Sequence, residues 1–117
     1  MDVTSLYTNI PHEEGADWVA EYYAETLKFW PKYTPDLAPI DKETLKKLIL
    51  FILQITTFEF NNEFFTQNYG TTMGASFSVR FANIYMHQFF TKFFQNANFT
   101  KPKFIARLID DIFFTWD

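Results

Sequence analysis

Cysteine is absent from this chain, which excludes disulfides and thiolate metal sites. Histidine is nearly absent. His12 and His87 form no H-x-x-x-H pair, so a structural zinc site is not expected. Long apolar runs are missing as well. The longest, Leu48–Leu53, falls far short of the roughly 20 residues that span a bilayer, and no membrane partner is expected. The opening "MDVTSLYTNIPHEEG" has neither the basic stretch nor the apolar core of a signal peptide. Bases are in the minority, 10 against 14 acids, for a net charge of −4. A free-standing nucleic-acid binder usually carries a basic face, and this composition argues against one.

What is present is apolar and aromatic. The 117 residues suffice for one small domain with a core, and 48% of them are hydrophobic, so the chain should fold. Sixteen are phenylalanine, a heavy load for this length. Either the core is very aromatic or part of the surface packs against something else. Both ends lack polar tails: the chain opens on an apolar–polar alternation and closes on a strand-like segment. It therefore reads as a piece of a larger protein.

The pattern along the chain predicts strand, helix, helix, hairpin, helix, hairpin. "MDVTSLYTNIP" begins strand-like and then turns. Pro11, followed by Glu13 and Glu14, suits a helix start, because the helix dipole favours acids in the first turn. Trp18, Val19, Tyr22, Tyr23 and Leu27 recur at helical spacing. "WPKYTPDLAP" is a proline-rich loop. Asp41 can cap a helix whose buried stripe is Leu45, Leu48, Ile49, Ile52 and Leu53. "FEFNNEFFTQ" reads as a hairpin turning at Asn61-Asn62. "NYGTTMGAS" is a tight loop, and a helix runs from about Phe77 to Gln95. "KFIARLIDDIFFTW" is two apolar strands around Asp110-Asp111. Strands and helices are segregated, which predicts an α+β layer with an antiparallel sheet.

The two adjacent aspartates carry the chemistry. A two-residue hairpin loop favours Asn, Asp and Gly, so a solvated turn is the plain reading. Their flanks oppose it: Leu108, Ile109, Ile112, Phe113 and Phe114 bring apolar bulk up to the acids. Two carboxylates about 5 Å apart repel by about 3 kcal/mol at an effective dielectric near 20. A divalent cation would neutralise them, and hard carboxylate oxygens suit Mg²⁺. Asp2 is a third acid, available if the first segment lies beside the last hairpin.

Three blocks resemble, in order, those of a reverse transcriptase palm, most closely the Penelope-like retroelement type. "DVTSLYTNIP" looks like polymerase motif A. "FNNEFFTQNYGTTMGASFSVRFANIYM" looks like the hairpin and motif B. "ARLIDDIFFTW" looks like motif C. The resemblance spans residues 1–117 as a partial reverse transcriptase domain: an α+β palm with helices packed on one face of its sheet, without fingers or thumb. It implies addition of deoxynucleotides to a primer 3′ end by two Mg²⁺ ions, with Mn²⁺ as a substitute. Implied partners are an RNA template, a DNA primer, deoxynucleoside triphosphates and the remaining segments of a parent chain.

Residue by residue, the resemblance implies that Asp2 and Asp110 bind metal, helped by the Val3 carbonyl, with Asp111 as second acid of the pair. Ser5 and Leu6 offer backbone N–H groups to the triphosphate. Tyr7 is the steric gate against a ribose 2′-OH. Gln67 lines the nucleotide pocket, and Gly70, Met73, Gly74 and Arg80 contact template and primer. Asn83 falls in the family's "AN-x-x-M" stretch. Each has a plainer reading: Tyr7 as a core aromatic, Gln67 as an exposed strand residue, Met73 as packing, Asn83 as a cap or bridge. Lys101, Lys103 and Arg107 read as phosphate contacts or as a solvated strand edge. Two positions depart from the family, Val79 where proline is frequent and Arg80 where a small residue is. The isolated chain is expected to be inactive. The alternatives are a catalytically dead remnant and an unrelated small metal-binding α+β domain.

Overall fold

The computed structural model describes residues 3–29, 38–72 and 74–116. Its architecture is α+β. A helical turn α1 (Leu6–Asn9) precedes α2 (His12–Thr26), which ends in a 3-10 turn (Leu27–Phe29). Then follow α3 (Lys42–Ile55), the hairpin β1 (Thr57–Phe60) and β2 (Glu63–Thr66), α4 (Ser78–Asn96), and the hairpin β3 (Phe104–Leu108) and β4 (Asp111–Thr115).

Local chemistry explains most of these boundaries. Asp41 caps α3, its Oδ2 accepting the Thr44 N–H at 3.0 Å. Those contacts, the Thr44 hydroxyl first, lower the Asp41 pKa below its ordinary value. Asn61 and Asn62 both take left-handed angles, φ 55 and 63, and close β1–β2 in a turn that asparagine tolerates.

The first segment turns early, as expected, while Met1 and Asp2, where the strand was expected to begin, lie outside the described residues. Ser5 enters the left-handed region at φ 51 and the chain winds into α1. Thr8 N–H and Oγ1 donate to the Ser5 carbonyl at 3.2 and 3.1 Å, and Asn9 Nδ2 donates to it at 3.0 Å. Local Thr and Asn donors thus favour a turn over an extended chain. The described strands form two separate two-stranded sheets, not the one palm sheet expected, because the two hairpins do not pair with each other.

Helix α2 packs between α3 and α4. Lys46 bridges from α3 to Glu13 and Asp17 at 3.5 and 3.7 Å. From α4, the Tyr85 ring stacks on Trp18 with centroids 4.8 Å apart, and its hydroxyl donates to Glu14 Oε1 at 2.8 Å. Desolvation first, then Glu14, pushes the Tyr85 pKa up. Lys92 pairs with Glu21 at 3.1 Å and lies over Trp18. Gly15 allows α2 to approach closely: a Cβ there would sit 2.7 Å from the Phe81 ring and 2.8 Å from Ile10. The core is Leu6, Ile10, Leu53, Phe81, Ala82 and Met86.

This core is small for the chain. Of the 16 phenylalanines only Phe81 is buried. The expected buried stripe of α3 holds only in part: Leu53 is buried, but Leu48 and Ile52 are 48% and 39% exposed. Amphipathic spacing identifies the apolar face of a helix, whereas burial needs a neighbour, and α2 covers only one side of it. The accessible surface is 8493 Å², where a folded monomer of 14.0 kDa ordinarily has roughly 6,700 Å². The radius of gyration is 16.6 Å against about 13 Å for a compact domain of this length. No helix among the described residues is long and apolar enough to cross a membrane.

Candidate functional site

The three sequence blocks meet along residues 3–10. Val3 N–H donates to the Asp110 carbonyl at 3.2 Å, joining the first block to the third. Gly70 N–H donates to the Ile10 carbonyl at 2.8 Å, and Thr71 N–H donates to the Tyr7 carbonyl, joining the first to the second. His12 Nε2 lies 2.6 Å from the Gly70 carbonyl. Gly70 has φ 67, and a Cβ there would overlap the Tyr7 carbonyl oxygen and the Thr8 backbone. Only glycine fits that approach. The loop is held from its other end by a buried Thr71–Ser78 hydroxyl pair at 2.7 Å, while Ser78 Oγ donates to the Thr72 carbonyl.

At the third block, Leu108 pairs with Asp111 across the last rung of β3–β4. The two turn residues are therefore Ile109 and Asp110, not the two aspartates. Ile109 takes the left-handed angle, φ 54. A β-branched residue there is strained, by about 1–3 kcal/mol. Two-residue loops place Gly, Asn or Asp at such an angle. Here an aspartate is next door, and isoleucine takes the strain.

Other contacts hold that tip in place. Arg107 Nη1 donates to the Ile109 carbonyl at 2.7 Å, and Nη2 donates to the Asn83 carbonyl in α4 at 3.2 Å. Partial desolvation lowers the Arg107 pKa, yet a guanidinium remains a cation. The Ile109 side chain packs against the core, and Ile112 is 5% exposed. Alternation along β4 then puts Asp111 on the face away from Ile112. Asp110 is half-buried and Asp111 exposed.

The remaining site residues are placed as follows. Asp2 and Met73 lie outside the described residues. Leu6 is buried in the core, leaving only its backbone for any ligand, and Ser5 is exposed. Tyr7 is half-buried and packs against the core, and its carbonyl holds the Gly70 loop. Gln67 is half-buried and lines a shallow groove with Thr8, Phe58 and Tyr69. The Cβ position of Gly74 has no neighbour within 4 Å, so space alone does not require glycine there. Arg80 is exposed and borders an apolar groove between α3 and α4. Asn83 contributes its carbonyl, so the bridge does not depend on its side chain.

Sequence reasoning missed His12, Thr71, Ser78 and the clamp made by Arg107. Only Arg107 carried a signal, as a lone cation inside an apolar strand. His12 and the Thr71 N–H act through backbone partners far away in sequence, and the Thr71–Ser78 hydroxyl pair closes a loop with no periodic pattern.

This corner holds two adjacent acidic residues, Asp110 half-buried and Asp111 exposed, whose hard oxygens are of the kind a divalent cation takes, and the Val3 N–H is tied to the same turn. Among the described residues no three acidic, histidine or cysteine side chains converge. The third carboxylate of the expected set is Asp2, which is not among them. Compared with known proteins, the chain matches no family model, no curated protein and no solved structure.

Proposed function

We propose that this chain is part of the palm of an RNA-directed DNA polymerase of the reverse transcriptase type. It would add deoxynucleotides to a primer 3′ end. The observation that carries this reading is the Val3–Asp110 hydrogen bond at a turn whose left-handed residue is Ile109. The bond supports a shared site because Asp2 directly precedes Val3 in the chain.

In this reading Asp2 and Asp110 hold two Mg²⁺ ions, with Asp111 beside them. When bound, such ions lower the pKa of an attacking hydroxyl and steady the leaving pyrophosphate. The protein's own part is positioning. Gly70 and Thr71 hold the loop of the second block against Tyr7, so a nucleotide over residues 3–7 would meet that loop. Tyr7 stands beside it as the gate against a 2′-OH. The open phenylalanine surface is where other parts of such a polymerase would pack. The chain alone is therefore expected not to extend a primer, since positioned catalysis tolerates little misplacement.

The test is Mn²⁺ titration of the isotope-labelled chain, read by paramagnetic broadening of amide signals. Broadening should centre on Val3, Asp110 and Asp111, Mg²⁺ should compete, and Asp110→Asn should weaken binding by about tenfold or more. Broadening elsewhere, or none at millimolar Mn²⁺, overturns the reading. The acids would then be only part of a turn.

A further inference from the structure

Arg107 stands in the middle of an apolar strand, three residues before Asp110, and both terminal nitrogens of its guanidinium are engaged by backbone carbonyls. Nη1 holds Ile109, the strained residue of the turn, at 2.7 Å. Nη2 holds Asn83, in the second turn of α4, at 3.2 Å. A planar fork suits this task, because its donors diverge at fixed angles and reach two acceptors at once. A lysine is a point charge on a flexible stem and cannot reproduce both bonds.

The consequence lies at the turn. Ile109 is held at φ 54, an angle it does not favour. Strain of this kind persists only where surrounding contacts over-determine it. Those contacts are Arg107 on the Ile109 carbonyl, Val3 N–H on the Asp110 carbonyl, and the Ile109 side chain against the core. Of these, Arg107 alone also ties the tip to α4 by a hydrogen bond, and α4 is itself fastened to α2.

We propose that Arg107 is a positioning residue: its guanidinium fork locks the Ile109–Asp110 turn to α4 and so fixes where the Asp110 carboxylate stands. It acts as a clamp on carbonyls and not as a phosphate contact. The clamp stands on geometry alone. Its importance for a metal rests on the polymerase reading above.

Arg107→Gln and Arg107→Lys separate the possibilities, each measured in the whole chain by amide hydrogen exchange and by Mn²⁺ broadening. Both variants should speed exchange at Val3 and Asp111 by about tenfold or more, since a charged donor's bonds to both carbonyls are lost or halved. Exchange in α2 and the first half of α4 should change less than about twofold, showing in the same spectra that the fold is intact. Broadening at Asp110 should need about tenfold more Mn²⁺ in both variants. If Arg107→Lys behaves as wild type, charge suffices and the fork is overturned. If exchange at Val3 and Asp111 stays unchanged in Arg107→Gln, the clamp itself is overturned. If exchange quickens but Mn²⁺ binds as before, positioning of the carboxylate is overturned while the metal reading survives. A wild-type chain that binds no Mn²⁺ at Asp110 instead overturns the metal reading, whatever exchange shows.

Discussion

The hairpin β1–β2 turns at Asn61 and Asn62, with φ 55 and 63, while β3–β4 turns at Ile109 and Asp110, with Ile109 at φ 54. The first puts asparagine, which tolerates left-handed angles, where the geometry demands it. The second puts a β-branched residue there. All eight strand residues of the first are exposed, whereas the second buries Ile112 and docks Ile109 on the core. The first hairpin is specified by its own turn, and the second by the molecule around it. The second turn, which local chemistry does not favour at Ile109, is held by Val3, Arg107 and core packing. That turn carries Asp110.

Just past the second strand of the first hairpin, Gly70 ties the chain to the first block, and breaking that attachment should have the largest effect. Gly70→Ala puts a methyl into the Tyr7 and Thr8 backbone at a left-handed angle. The angle costs about 1–2 kcal/mol and the overlap about 1–3 kcal/mol more, so unfolding in urea should show a loss of about 2–5 kcal/mol. A loss below about 1 kcal/mol would mean that the loop yields and that the contact of first and second blocks is soft.

The next effect separates the hairpins directly. Ile112→Ala should cost about 2–4 kcal/mol of global stability, because it opens a cavity beside the core. Phe64→Ala removes a larger side chain, yet Phe64 is 75% exposed, and stability should stay within about 0.5 kcal/mol. Similar losses for both would mean that β1–β2 is packed in solution against a surface it does not touch here.

A smaller effect tests the turn rule itself. Asn61→Ile gives the first hairpin the left-handed residue of the second, without its supports. About 1–2 kcal/mol should be lost, and locally: amide exchange across Phe60–Glu63 should quicken while the melting temperature stays nearly constant. A large fall in melting temperature would show that the hairpin is part of the cooperative core.

Parts of this were legible in the sequence for the same reason that the first hairpin is self-sufficient. Asp41, the Asn61-Asn62 turn and the periodicity behind Ser78–Asn96 act within a few residues, and the α+β class follows from their order. A turn after Val3 was legible but its helical form at Leu6–Asn9 was not, since four residues are too few for a period. Exposure of Leu48 and Ile52 was hidden, because a pattern names a face but not its neighbour. The Val3–Asp110 bond spans almost the whole chain, so no local rule reaches it. The acidic turn was read one residue too late, because turn statistics favour Asp over Ile in a two-residue loop.

The smallest expected effect bears on why isoleucine is there at all. Ile109→Asn relieves most of the left-handed cost, a gain of about 1 kcal/mol, since asparagine hydrogen-bonds locally at such angles. It also removes a half-buried side chain that packs against the core, a loss of about 1 kcal/mol or slightly more. The two nearly cancel, so denaturant unfolding should shift by less than about 1 kcal/mol either way. The position of the tip should not be so indifferent. Without the isoleucine anchor, the turn depends on Val3 and Arg107 alone, and amide exchange at Asp110 and Asp111 should quicken severalfold. A global loss above about 2 kcal/mol would mean that Ile109 is there for packing, with its angle a side effect. A gain in stability with no change in exchange would mean that the docking is unnecessary, and Asp110 would return to an ordinary turn.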